Sequence, residues 1–212
     1  MEGIVMPIVS ELREKRGLVE ILAEGEGTLR VRKVHFEKCP LRVGEDFDVE
    51  AYLSRVAAAQ FADGYEAALT QLDYCARSAK ELQGALRRRG YVEPVIEAIT
   101  ARLTENGLID DARYAQRMAE IQSSKPVGVY AFKRRLRAKG ISEEDAEASL
   151  AAFDDAQQQA AALAAARKLR RKYEALPARE ARAKLSQALA RRGFSWDVIT
   201  GALDEMTGDF EE

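Results

Sequence analysis

The stretch Ala131-Phe132-Lys133-Arg134-Arg135-Leu136-Arg137-Ala138-Lys139-Gly140-Ile141 decides how the chain is built, because its pattern occurs three times. Its counterparts are Glu81-Leu82-Gln83-Gly84-Ala85-Leu86-Arg87-Arg88-Arg89-Gly90-Tyr91 and Lys184-Leu185-Ser186-Gln187-Ala188-Leu189-Ala190-Arg191-Arg192-Gly193-Phe194. The glycines stand 50 and 53 residues apart, and self-similarity at a near-fixed period marks stacked supersecondary units. Leu82/Leu86, Phe132/Leu136 and Leu185/Leu189 are i, i+4 pairs on one helical face, the face to be buried. Gly90, Gly140 and Gly193 fit the position just past a helix end, where the chain needs positive φ. A large apolar residue follows each glycine (Tyr91, Ile141, Phe194) and supplies the hydrophobic contact of such a cap.

A second helix follows each turn. Ser142 and Ser195 are expected N-caps, and Pro94 fits a first helical turn. Ile96, Ala146 and Ile199, then Leu103, Phe153 and Met206, are the equivalent apolar positions. A further helix precedes each core helix, near residues 65–77, 111–123 and 156–173. Ser78-Ala79-Lys80-Glu81 reads as a capping box after the first of these, while Pro126 and Pro177 break the chain after the other two. Asp110 and Asp111 are expected as an N-cap and a first-turn acid rather than a catalytic or metal pair. Each unit is thus a three-helix module.

The N-terminal quarter differs. Val19 and Ile21, then Leu29 and Val31, alternate with polar residues around a Glu24-Gly25-Glu26-Gly27 break, which predicts a hairpin. Val34 and Phe36 extend the second run, and Val43-Gly44 suggests another turn. A two- or three-strand sheet so small needs a helix or the main body to cover one face. A helix over 49–61 with a break at Asp63-Gly64 joins it to the body. The expected organisation is a strand-containing segment over 1–62, three-helix modules over 63–107, 108–154 and 155–212, and an acidic tail within the last. The fold class is mainly α, three tandem modules in a curved array behind a small β-hairpin or sheet.

The 212 residues carry 33 Lys+Arg against 35 Asp+Glu, a net charge of −2, which excludes a uniformly basic nucleic-acid binder but not local basic bands. Two cysteines, Cys39 and Cys75, form no disulfide framework and suit a reducing cytoplasm. The longest all-apolar run, residues 160–166, is far short of a membrane span, and no basic region precedes an apolar run at the start. A soluble cytoplasmic monomer is expected. His35 and Cys39 are two ligands at most, too few for a zinc site. No phosphate-binding glycine loop and no zinc-protease motif is present, so neither cofactor nor enzymatic chemistry is expected.

The middle module carries Leu103-x-x-x-Gly107-Leu108-Ile109-Asp110-Asp111-x-x-Tyr114-Ala115, then Gly128 and Leu136-Arg137-Ala138-Lys139-Gly140-Ile141. In these elements the chain resembles the RecX family of recombinase regulators, over about residues 65–206. It departs at Arg135, where the family often has Glu, and at Met118 and Gln122, where an aromatic and a basic residue are frequent. The resemblance implies a protein that binds the RecA–single-strand DNA filament. It would damp the filament's recombinase, ATPase and coprotease activities in DNA repair and the SOS response, without catalysis of its own.

Charge banding agrees with such a partner. Residues 167–192 hold ten basic residues against two acidic ones, and 133–139 form a second basic run, while acids gather at 143–155 and 204–212. The candidate RecA- and DNA-binding residues are Arg87, Arg88, Arg89, Lys133, Arg134, Arg137, Lys139, Arg167, Arg170, Arg171, Lys172, Arg191 and Arg192. Tyr130 and Trp196 are placed between core and base stacking, Phe132 and Phe194 in the core. Two other readings are a stand-alone DNA binder, whose ligand could be duplex DNA, and a protein-interaction scaffold.

Overall fold

The N-terminal strands form where the alternation lies. β2 (Leu18–Ala23) pairs antiparallel with β3 (Leu29–Arg32) in the register Val19↔Val31 and Ile21↔Leu29, which puts all three of Val19, Ile21 and Val31 on the buried face. A third strand, β1 (Val9–Lys15), precedes them and pairs with β2. It joins β2 through Arg16 and Gly17, both at positive φ (53° and 77°), the geometry of a two-residue hairpin turn. Val34 and Phe36 do not extend β3: Lys33–Phe36 close a single helical turn, α1. β1 escapes notice in the sequence because as an edge strand it buries only Val9 completely and shows no clean alternation.

In this computed structural model, which describes residues 6–123 and 125–206, the expected break at Asp63-Gly64 is absent. A single helix, α2, runs Val49–Tyr74, started by the Asp48 carboxylate accepting from the Ala51 N–H at 3.0 Å. Gly64 is not a breaker but a contact point. A Cβ there would lie 2.7 Å from Ile99 Cδ1 and 3.1 Å from the Tyr91 ring, so its absence lets the next helices close against α2.

The body then follows the repeat: α3 (Ala79–Arg88), α4 (Glu93–Glu105), α5 (Asp111–Ser123), α6 (Val129–Ala138), α7 (Glu143–Ser149), α8 (Asp155–Arg170), α9 (Ala178–Arg191) and α10 (Trp196–Asp204). A short 3-10 turn, Leu150–Ala152, extends α7. α3, α6 and α9 end in the same way. Gly90, Gly140 and Gly193 have φ of 82°, 84° and 83°, and their N–H groups donate to the carbonyls of Arg87, Arg137 and Ala190. The next N–H groups, of Tyr91, Ile141 and Phe194, reach back to Leu86, Leu136 and Leu189. These are the two bonds of the Schellman motif, and the side chain that follows each glycine is buried. Ser78, Ser142 and Ser195 cap α3, α7 and α10, the first in a complete capping box with Glu81.

The chain divides into two compact units, Met1–Asp110 and Asp111–Glu212. In the first, Ile21, Val31, Tyr52, Val56, Leu82, Leu86, Ile96, Ile99 and Leu103 share one core, so α2 covers the sheet and also serves module 1. Buried Gln60 ties these parts together: its amide donates to the Gly90 carbonyl (2.9 Å) and accepts from the Val92 N–H (2.8 Å). The second unit has two cores, one around Ala115, Ala119, Phe132, Leu136 and Ile141, the other around Ala162, Ala166, Leu185, Leu189, Ile199 and Met206. They meet at backbone level. The N–H groups of Gly128 and Tyr130 donate to the carbonyls of Arg192 (3.1 Å) and Gly193 (3.0 Å), an approach in which any Cβ on Gly128 would overlap the Gly193 carbonyl carbon. Among the described residues, no helix is long and apolar enough to cross a membrane, and no group of three His, Cys, Asp or Glu could hold a metal.

Candidate nucleic-acid interface

The repeated helix end is also where the candidate cations sit. Because the Schellman turn reverses the chain, a residue three before the glycine meets one three after it. In module 1 the Arg87 guanidinium forks onto the Glu93 carboxylate (Nε–Oε2 2.9 Å, Nη2–Oε1 2.5 Å). In module 2 Arg137 does the same with Glu143 (Nε–Oε2 2.7 Å), and Lys133 bridges Glu143 (2.9 Å) and Glu147. Hydrogen bonds from Lys133 and Arg137 hold the Glu143 carboxyl below its ordinary value, and the two acids raise Lys133. Lys139 Nζ stands 5.4 Å from the centre of the Tyr114 ring, and Arg135 donates to the Gln122 side-chain oxygen at 2.7 Å.

The acids that look segregated in sequence therefore pair with Lys133 and Arg137 of α6, because the turn folds 143–147 back beside them. Of the module 2 candidates, Arg134 is exposed and makes no ion pair among the described residues. In module 1 the same holds for Arg88 and Arg89.

Module 3 is different. Arg167, Lys168, Arg171 and Lys172, around the end of α8, and Arg191 and Arg192, at the end of α9, are exposed with no ion pair among the described residues. Lys172 instead has its ammonium 5.8 Å from the centre of the Tyr173 ring. Arg170 is half-buried. These cations stand at helix C-termini, where the peptide dipoles favour them. A cleft of about 550 Å³ lies between α8 and the segment that leads to α6, floored by Ala160, Ala161, Ala164, Ala165 and Pro126. Lys125, Lys168 and Arg192 line it, and no acid among the described residues does. The structure thus brings Lys168 and Arg192 to one cleft and adds Lys125. That lysine sits in a connection, outside the helical repeat that organises the other candidates, although Lys125-Pro126 is a visible cation at a visible break.

The aromatics divide cleanly. Phe132 and Phe194 are buried, whereas Tyr130 is 58% and Trp196 70% exposed. His35 is 3% exposed, its Nε2 3.7 Å from Asp63, where the Tyr91 hydroxyl (2.6 Å) and Arg32 also converge. Burial lowers His35. Asp63 is pushed up by burial, but the Tyr91 hydroxyl, Arg32 and His35 together hold it below its usual value. The cluster closes the sheet against module 1.

Fold and surface together define a tandem helical-repeat protein of three three-helix modules, with its uncompensated positive charge concentrated on the last. Family models described as the first, second and third three-helix domains of RecX match residues 65–103, 110–150 and 155–203. The regulatory protein RecX of Streptococcus pneumoniae (strain Hungary19A-6) is 35% identical over 73% of this chain and 59% of its own length. That of Bacillus licheniformis is 31% identical over 79% and 64%. The chain therefore spans about three fifths of these relatives' length. A crystal structure of RecX from Lactobacillus salivarius superposes with a TM-score of 0.63 at 31% identity, covering 70% of this chain and 97% of that one. A crystal structure of a regulatory protein RecX does so with 0.66 at 27% identity, covering 94% and 100%. The chain belongs to the RecX family of regulatory proteins.

Proposed function

We propose that this protein is a negative regulator of the RecA recombinase, which binds the RecA–single-strand DNA filament and lowers its recombinase, ATPase and coprotease activities. Membership in the RecX family supports a regulator of RecA, and the unpaired cations of module 3 are the observation that carries filament binding. A polyanionic filament is met by charges that are not spent inside the protein, and Arg88, Arg89, Arg134, Arg167, Lys168, Arg171, Lys172, Arg191 and Arg192 meet that condition. Lys133, Arg137 and Arg87 serve their own modules first. The protein acts without cofactor or catalysis, as a cytoplasmic monomer, through modules bounded near residues 107 and 154. RecA ATPase on single-strand DNA, followed at substoichiometric amounts of this protein, tests the reading. Inhibition that weakens with salt is expected, and undiminished hydrolysis at every ratio would remove it.

A further inference from the structure

Module 3 breaks the internal pattern at one pair of positions. Three residues before and after the turn glycine, modules 1 and 2 hold Arg87 with Glu93 and Arg137 with Glu143, each an ion pair. Module 3 holds Ala190 and Trp196. The stapling ion pair is gone, and an indole stands where the glutamate would be, 70% exposed on the first turn of α10. Ser195 caps that helix through the Val198 N–H, so the tryptophan is not needed for the cap. The indole therefore stands outside the core of its module and faces solvent.

Its surroundings say for what. Trp196 edges a cleft of about 530 Å³ between α9 and α10, with Arg179, Gln187 and Thr200. Arg179, Arg191 and Arg192 are exposed with no ion pair among the described residues. Arg182, which also lines the cleft, is paired with Asp204 (2.5 Å). Tyr130, the other exposed aromatic among the described residues of this unit, donates its N–H to the Gly193 carbonyl at the same turn. Exposed rings between unpaired cations fit unstacked bases on a phosphate backbone, since every base offers a π-face. We propose that Trp196 is a stacking platform for single-stranded nucleic acid, with Arg179, Arg191 and Arg192 meeting the flanking phosphates and Tyr130 offering a second ring. The proposal rests on the function above only in taking a single strand as the ligand.

Trp196 is the single tryptophan of the sequence, so its emission reports this site alone. Titrating the full chain with oligothymidylate should quench that emission saturably. In anisotropy with a labelled oligothymidylate, Trp196→Ala should bind roughly 5- to 150-fold more weakly, the range for removing one stacked base, while Trp196→Phe stays within about threefold of the parent. Trp196→Ala should leave the salt slope alone, whereas Arg191→Gln with Arg192→Gln should make it shallower by roughly 1.4, at about 0.7 per neutralised phosphate. No quenching at saturation, or equal affinity for Trp196→Ala and the parent, overturns the proposal. So does a Trp196→Ala variant that loses RecA inhibition with oligonucleotide affinity intact, since the indole would then meet protein. If quenching and the Trp196→Ala loss occur but the parent leaves RecA untouched, the stacking site stands and the regulatory function falls.

Discussion

Two glycines in helical or near-helical context do opposite work. Gly84 lies inside α3, and a Cβ there would meet only Arg88 Nη1, at 3.4 Å. Gly84→Ala should therefore stabilise the protein by roughly 0.5–1 kcal/mol through lower backbone entropy in the unfolded chain. Gly128 has an ordinary φ of −76°, yet a Cβ would overlap the Gly193 backbone. Gly128→Ala should cost on the order of 3 kcal/mol, because backbone cannot rotate aside as a side chain can. Thermal melts of the two variants check both signs, and a Gly128→Ala protein as stable as the parent would contradict the close approach. His35 offers a second test at this scale. It is the one histidine in the chain, and burial, partly opposed by Asp63, puts its folded value below the unfolded one. Its contribution is then complete above about pH 6.5 and is lost as the pH falls. The depressed Asp63 carboxyl acts in the same direction at lower pH, below its ordinary carboxylate range. The melting temperature should drop from pH 7.5 to pH 5.5, and His35→Asn should flatten that drop. A parent protein equally stable at both would exclude the cluster as a titrating one.

At the scale of elements, the three Schellman turns are legible in the sequence because positive φ next to a helix end leaves few alternatives to glycine, and because the same solution occurs three times. The Asp63-Gly64 break is misread for the converse reason. A glycine that admits a neighbouring helix and one that ends its own helix look alike until Tyr91 and Ile99 are known to pack there. The pairing of the candidate cations is not read from the sequence because charge is segregated along the chain, whereas a turn pairs i with i+6. Repeat alignment carries that signal: Arg87/Glu93 and Arg137/Glu143 are the same pair 50 residues apart. A prediction follows about which basic helix matters. Lys133→Gln with Arg137→Gln should change filament affinity by less than about twofold, since these charges are already met by Glu143 and Glu147. Arg167→Gln, Lys168→Gln and Arg171→Gln together should weaken it severalfold and make it less sensitive to salt, by the share of three phosphates left un-neutralised. Equal effects from the two sets, measured by inhibition of RecA ATPase across a salt series, would return the binding surface to α6.

At the scale of the molecule, the N-terminal sheet occupies on module 1 the place that module 2 occupies on module 3. The Arg32 N–H, at the end of β3, donates to the Gly90 carbonyl at 3.2 Å, as the Tyr130 N–H donates to that of Gly193 at 3.0 Å. A repeat array needs its ends covered, because a terminal module otherwise exposes the face its neighbours bury. The sheet answers that need at the level of backbone and core alike. Gly90 approaches Leu18, and Ile21 and Val31 are buried with Leu86 and Tyr91 in one core. The sheet is therefore an integral part of the first unit and not an appended arm, a role that strand periodicity alone does not reveal. Ile21→Ala should remove about 2–5 kcal/mol from that unit, the range for a fully buried aliphatic side chain. Hydrogen exchange separates this from a general loss of stability. Amides of α3 and α4 should lose protection together with β2 and β3, while those of α6 and α9 keep theirs, since the second unit has its own cores. Gly128→Ala should produce the mirror image, with protection lost in α6 and α9 and kept in β2 and α4. If Ile21→Ala deprotected only the strands, the sheet would be peripheral, and module 1 would be stable without the cover that Gly90 accepts.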